Sequence, residues 1–228
     1  MNNPPKLSKK RALANVAVTA ATSAIPLFGG PAGVLLQELM TSSYRKRQDD
    51  WYELVAKGLE DLQNKYTDFK IEDLGQNEHF VDAVANATFL AIRTSDKEKL
   101  LLLRSTVLNI ALGSSMDSDK TAIFQRYLGE LTPSHIRILI FLDNPKSFYE
   151  ANGVPWPNLM MGSVASLRQE IISDLDGDFC NLIVKDLNNS GLIANANLNV
   201  TQSGAGLATS LSSSLGKEFV NFLNDPLT

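Results

Sequence analysis

The sequence predicts a mainly helical protein, with an N-terminal helical bundle over residues 1–151 and a small winged-helix-like α+β domain over residues 152–228. Apolar residues recur at helical spacing along most of the chain, helix caps separate these stretches, and the pattern changes after the Pro-rich segment 154–158. A 44% hydrophobic content with a net charge of −4 is typical of globular proteins and excludes a disordered chain. Because no strand-like alternation precedes residue 190, doubly wound α/β folds are excluded as well.

The N-terminus combines positive charge with an apolar stretch. Residues 1–48 hold seven basic side chains against one acidic side chain, for a net charge of +6. An uncharged stretch, residues 12–37, separates two basic clusters. We predict that both clusters contact an anionic surface such as a membrane. Their members are Lys6, Lys9, Lys10 and Arg11 before the stretch, and Arg45, Lys46 and Arg47 after it.

Four interpretations of the uncharged stretch can be weighed. Polar residues dilute the apolar run and disfavour a signal peptide. The PLFGGP turn at residues 26–31 leaves only Ala12–Ile25 as a first helix, about 21 Å long, which cannot span a hydrocarbon core of about 30 Å. Two interpretations remain open. The stretch forms an apolar helical hairpin buried against the protein, or a hairpin that enters a membrane with its basic ends at the surface.

The chain from Ala32 to about Tyr66 is predicted to be one helix, with a highly charged middle. Its apolar stripe consists of Trp51, Val55, Leu59, Leu62 and Tyr66. The next helix repeats apolar residues at Phe80, Val84, Ala87 and Ala91.

Four local signals predict where the following helices begin and end. Asn77 is a predicted N-cap, and residues 95–98 (Ser-Asp-Lys-Glu) read as a capping box that begins with Ser95. Gly113 is predicted to follow the last residue of its helix, and Thr132 with Pro133 to open the next one.

The C-terminal segment predicts the plan of a winged helix. Helices are expected over residues 163–175 and 178–189, a strand over 192–200, a hairpin-like stretch over 201–213 and a closing helix over 214–223. However, residues 152–228 hold three basic and seven acidic side chains, whereas phosphate contacts need Lys and Arg. We therefore expect the module to serve protein contacts or packing, and nucleic-acid binding is disfavoured.

The search for chemistry predicts no catalytic residue, no metal ligand and no cofactor, so we expect a non-enzymatic protein. The acidic run at residues 174–178 begins like a calcium loop, but Phe179 and Lys185 occupy the positions that need Gly and Glu. It is interpreted as a turn between helices with an acidic N-cap. Cys180 is expected to be a buried structural thiol, and His79 and His135 are expected to cap or pack.

Residues 98–142 combine a Leu-rich helix, a short loop and a helix that ends in the Leu131-Thr132-Pro133-Ser134 turn. This plan resembles that of bacterial abortive-infection alpha proteins and related helical families. Residues 190–193 and 215–219 resemble the winged-helix ends of such families. The resemblance implies a bacterial protein connected to antiviral (phage) defence, and it assigns no catalytic residue.

These observations lead to one expected function and one alternative. We expect a helical protein that acts through contacts with a protein partner, with its own copies or with an anionic membrane surface. The alternative is a DNA-binding regulator that uses the C-terminal module. A cytoplasmic location is expected, with peripheral contact to the inner membrane left open.

Overall fold

The structure of the protein, a computed structural model, describes residues 31–113 and 116–228, with side chains described from Leu35 onward. This part of the chain is mainly helical, with a small antiparallel sheet near the C-terminus, which confirms the predicted helical class. The predicted hairpin before residue 31 and the basic residues Lys6, Lys9, Lys10 and Arg11 lie outside the described residues.

The helices of the first half follow one another with short connections. They are α1 (Pro31–Lys65), a 3-10 helix (Ile71–Gln76), α2 (Glu78–Ile92), α3 (Lys97–Ala111) and α4 (Ser118–Glu130). The second half mixes helices with two short strands. Its elements are α5 (Pro133–Asp143), α6 (Pro145–Ala151), β1 (Met161–Ser163), α7 (Val164–Ile171), α8 (Gly177–Asn189), β2 (Thr201–Ser203), α9 (Gly204–Leu207) and α10 (Ser214–Leu223).

The described chain divides into two compact units. One contains the described residues up to Gly129 together with Asp225–Thr228, and the other spans Glu130–Asn224. This division differs from the expected boundary at residues 151–152, because α5 packs against α8 and α10 within the second unit. The Pro-rich segment is a turn inside that unit, since the Trp156 ring lies edge-on against Tyr149 with centroids 5.3 Å apart.

The core of the first unit forms where α1 packs against α2 and α3. Of the predicted stripe, Trp51, Val55 and Leu62 are buried, Leu59 is half-buried and Tyr66 is exposed. The indole Nε1 of Trp51 donates to Thr88 Oγ1 at 3.0 Å, which satisfies the polar atom of a buried ring. The helical stripe predicted from spacing is therefore the packed face for most of its length.

Three of the four predicted helix boundaries are confirmed. The Asn77 side chain accepts from Phe80 N at 3.1 Å, Gly113 has a φ of +79° after α3, and α5 begins at Pro133 with Thr132 as its N-cap. The capping box that begins with Ser95 is wrong. Asp96 is the N-cap, and its carboxylate accepts from Lys99 N at 2.9 Å. A short anionic side chain both satisfies this amide and interacts favourably with the helix dipole.

The small sheet differs from the predicted one. Strand β1 pairs antiparallel with β2, with Met161 opposite Ser203 and Ser163 opposite Thr201. β1 lies before residue 190, where the sequence shows no strand-like alternation, because a three-residue strand is too short to show alternation. Residues 204–207 of the predicted hairpin form the short helix α9 instead.

The strand predicted over residues 192–200 is also wrong, because this segment is a loop with one bridge between Ile193 and Ser212. Two asparagine side chains explain the loop. Asn195 Oδ1 accepts from Asn197 N at 2.8 Å, and Asn197 Oδ1 accepts from Asn199 N at 3.1 Å. Such side-chain turns compete with a strand ladder for the same backbone groups.

The helices of the C-terminal segment follow the prediction more closely. α8 and α10 match the expected ranges within one residue, whereas the helix expected over 163–175 ends at Ile171. The buried Arg168 guanidinium donates to the carbonyls of Ile172 and Leu175, at 3.5 and 3.1 Å. These bonds hold the turn that separates α7 from α8.

Candidate functional site

The N-terminal part of α1 carries exposed apolar side chains. We call residues 35–46 of this helix the exposed arm, because none of them is buried. Leu35, Leu36 and Leu39 keep 57%, 48% and 57% of their surface accessible. Three large apolar side chains exposed within five residues form a patch rather than scattered surface residues.

One face of the exposed arm changes from apolar to basic along its length. Residues 35, 39, 42 and 46 are spaced by 4, 3 and 4, so they lie on the same side of the helix. The face runs from Leu35 and Leu39 through Ser42 to Lys46, and all four side chains are exposed. This face therefore combines apolar side chains with a long basic side chain that can reach an anionic surface.

The exposed arm ends where α1 meets α2. Arg47 Nη1 donates to the carbonyl of Ile92, the last residue of α2, at 3.2 Å. The last carbonyls of a helix have no partner within the helix, and a guanidinium satisfies them and interacts favourably with the dipole. Gln48 and Trp51 are already buried, so α1 is held by its neighbours from Arg47 onward.

The predicted basic residues that the structure describes therefore differ in their environment. Arg45 and Lys46 are exposed and follow Leu39 by about two helical turns. Arg47 is half-buried and bonded to Ile92. Sequence reasoning grouped the three as one cluster, whereas the structure separates two surface charges from a helix-end contact.

The charge distribution distinguishes this end of the chain from the rest. Residues 1–48 have a net charge of +6, whereas residues 49–228 hold 14 basic and 24 acidic side chains, a net charge of −10. We call residues 1–48 the basic end, and the exposed arm lies within it. An anionic surface would attract this end and repel the remainder.

A second cluster joins Thr132, His135 and Asp186 in the second unit. His135 Nδ1 lies 2.8 Å from Thr132 Oγ1 and accepts from Thr132 N at 3.3 Å, and Nε2 lies 3.5 Å from Asp186 Oδ2. A hydroxyl, an imidazole and a carboxylate in series could in principle activate the hydroxyl. Here the imidazole accepts the backbone N–H of the N-cap residue, so His135 closes the first turn of α5. This is the capping role predicted for it.

The acidic run at residues 174–178 is used by the protein itself. Both Asp174 oxygens accept from Arg137 Nη2 at 2.6 Å, and this hydrogen bonding holds the pKa of Asp174 below its ordinary value. Asp176 Oδ1 accepts from Asp178 N and Phe179 N at 2.8 and 3.2 Å. The predicted acidic N-cap in the turn between the two helices is confirmed.

A cavity of about 350 Å³ lies beside this turn, and its two charged side chains are bonded within the protein. It is lined by Arg168, Gln169, Ser173, Leu175, Asp176 and Gly177. Arg168 donates to two carbonyls and Asp176 caps α8, so neither is aimed at a ligand. Cys180 is buried nearby, and burial raises the pKa of its thiol, so the thiol stays protonated.

Two further observations concern metals and membranes. Among the residues that the structure describes, no group of three His, Cys, Asp or Glu side chains could hold a metal ion. Within the same described ranges, no helix is both long enough and apolar enough to cross a bilayer.

Comparison with known protein families, with curated proteins and with solved structures gives no match for this chain.

Proposed function

We propose that the protein acts through non-catalytic contact, with its basic N-terminal end docking on an anionic membrane surface. The observation that carries this proposal is the exposed arm of α1, in which Leu35, Leu36 and Leu39 are accessible beside Arg45 and Lys46. These leucines continue the apolar stretch of residues 12–37, so the patch lies at the end of the chain where positive charge is concentrated.

The magnitudes are sufficient for reversible binding. Full burial of a leucine side chain is worth about 1.5–3 kcal/mol, so burying the accessible half of each leucine contributes roughly 1 kcal/mol. A basic residue near an anionic surface contributes about 1 kcal/mol at low ionic strength. The three leucines with Arg45 and Lys46 therefore supply about 5 kcal/mol, and the repulsion of the exposed Glu38 in the same arm reduces this to about 4 kcal/mol. The first basic cluster adds to this attraction.

The acidic remainder of the chain favours contact through one end. A net charge of −10 over residues 49–228 is repelled by anionic lipid, so a flat arrangement would lose part of the attraction. Binding is therefore expected to weaken with salt, because the electrostatic part is screened.

The C-terminal segment supports a contact or packing role better than DNA binding. In α8, which would be the recognition helix of a winged-helix domain, Asp176 and Asp178 stand at the N-terminus, and Phe179 and Leu182 are exposed. A DNA-reading helix needs donors and positive charge at this end. We also propose that the C-terminal segment is a winged-helix-like module and that the protein takes part in phage defence, as the resemblance to abortive-infection alpha proteins implies.

The test is co-sedimentation of the full chain with phosphatidylglycerol and phosphatidylcholine vesicles. Two variants remove the features separately: Leu35→Ser with Leu36→Ser and Leu39→Ser, and Arg45→Gln with Lys46→Gln. We expect binding to anionic vesicles only, and each variant should weaken it at least about tenfold, which corresponds to 1.4 kcal/mol.

The control is Leu101→Ser on α3, since Leu101 is 52% exposed but is not part of the exposed arm. This variant should bind like the unmodified protein. If the full chain stays in the supernatant with both lipids, the proposal is wrong. Equal loss in the Leu101→Ser variant would also contradict it, because the leucines of the arm would then have no special role.

A further inference from the structure

Sulfur-bearing side chains are the groups that mild oxidants modify, and this chain holds five Met and one Cys. The structure describes the side chains of all six except Met1. Cys180 is only 2% exposed, and burial raises the pKa of its thiol. Because the thiolate is the form that reacts, a protonated thiol in the core is a poor target for an oxidant. Oxidation is therefore expected at methionine before Cys180.

The four described methionines differ in exposure. Met160 and Met161 are 91% and 67% exposed, whereas Met40 and Met116 are half-buried. Oxygen transfer to a thioether needs direct contact between the sulfur and the oxidant, so exposure sets the order of reaction. Met161 is the first residue of β1 and Met160 precedes it, so two exposed thioethers follow each other in the chain.

The fold around these two methionines is held by backbone bonds. Gly204 N donates to Met160 O at 3.0 Å, and Met161 lies opposite Ser203 in the pairing of β1 with β2. A side chain that is mostly in water can become polar without placing a polar group in the core, and only a buried polar group would be costly. Oxidation at this position is therefore expected to change the surface and to leave the fold intact.

We infer that Met160 and Met161 form a reversible oxidation site, at which a peroxide converts two exposed thioethers into sulfoxides. In each reaction a lone pair of the sulfur attacks one peroxide oxygen, an S–O bond forms and the O–O bond breaks. With hydrogen peroxide the other oxygen leaves as water, and the sulfur loses the two electrons that the peroxide gains. A dithiol reductant reverses the change, because it removes the sulfoxide oxygen as water and becomes a disulfide, as in methionine sulfoxide reductases.

The test is peptide mass mapping of the full chain at intervals after addition of hydrogen peroxide. We expect Met160 and Met161 to gain oxygen at least about threefold faster than Met40 or Met116, while Cys180 stays unmodified over the same period. The two methionine sulfoxide reductases, one for each sulfoxide epimer, should then restore both thioethers when dithiothreitol is supplied. The far-ultraviolet circular dichroism and the urea midpoint of the oxidised chain should equal those of the untreated chain.

Two variants separate this site from the other sulfurs. Met160→Leu with Met161→Leu should lose the fast phase of oxygen uptake, whereas the control Met40→Leu should keep it. Equal rates at all four described methionines would overturn the inference, and so would modification of Cys180 before Met160. A fast phase that persists without Met160 and Met161 would show that another residue is the target. Loss of the folded signal on oxidation, or sulfoxides that the reductases cannot reach, would likewise exclude a reversible surface site.

Discussion

The buried phenol of Tyr149 makes the free energy of unfolding fall at alkaline pH, and the substitution Tyr149→Phe removes this pH dependence. The ring is fully buried, and its hydroxyl donates to Leu167 O at 2.9 Å. Burial raises the pKa of Tyr149 from its ordinary value of 10 to about 12, with further contributions from the charge of Glu170 and from the hydrogen bond to it at 3.4 Å.

The direction of this pH dependence follows from the linkage between proton binding and folding. The folded state favours the neutral phenol, so its contribution is complete below pH 10 and is lost as pH rises through 12. The whole shift corresponds to about 2.7 kcal/mol, and about 1.4 kcal/mol of it is lost by pH 11. Tyr149→Phe removes this dependence, and it also removes one buried hydrogen bond, which costs about 1 kcal/mol at neutral pH.

We therefore expect the unmodified protein to be more stable than Tyr149→Phe by about 1 kcal/mol at pH 8, and the difference to vanish or reverse slightly by pH 11. Urea unfolding at several pH values measures this difference, and phenolate absorbance of the folded proteins gives an independent readout. Tyr44→Phe, on the exposed arm, calibrates the absorbance of one phenol. A stability difference that stays constant from pH 8 to pH 11 would refute the assignment of Tyr149 as a buried late-titrating phenol.

Two further predictions concern packing and the C-terminal residues. Gly216→Ala places a Cβ 1.9 Å from Leu192 O and should lower the free energy of unfolding by more than about 3 kcal/mol. In the control, Gly177→Ala, the new Cβ meets nothing within 4 Å, and the free energy of unfolding should change by less than about 1 kcal/mol. Urea unfolding compares the two variants, and equal effects would contradict the packing argument. Asp225→Asn removes the 2.8 Å ion pair with Arg104, so amide exchange at residues 225, 227 and 228 should accelerate about fivefold, equivalent to about 1 kcal/mol. No acceleration, or the same acceleration in the exposed Asp68→Asn control, would show that this ion pair does not hold the C-terminal residues.

Local signals account for the parts of the fold that the sequence predicts well. Asn77, Gly113 and Thr132 act on backbone groups within four residues of themselves, so their roles do not depend on the rest of the chain. The spacing of Trp51, Val55 and Leu62 likewise marks one face of a helix, whatever that face contacts.

Non-local pairing explains the parts that the sequence does not predict. β1 and β2 are separated by 37 residues in the chain, and each has three residues, so neither shows a pattern of its own. Residues 192–200 do alternate between apolar and polar. However, the side chains of Asn195 and Asn197 each accept from the backbone N–H two residues later, so a strand ladder does not form there. The choice of Asp96 over Ser95 depends on which of two adjacent side chains reaches the first turn.

The features of the candidate site also fall into two groups, those that the sequence establishes and those that only the tertiary structure shows. Composition and order alone establish the net charge of +6 at one end, the −10 over the remainder, and the apolar stretch between two basic clusters. Only the tertiary structure decides that Leu35 and Leu39 stay exposed while Trp51, on the same helix, is buried. The reason is that α2 ends at Ile92, where Arg47 meets its last carbonyl, so no part of α2 extends far enough to cover the arm. Charge is a sum over residues and is present in the sequence, whereas burial is a property of the neighbours that folding brings together.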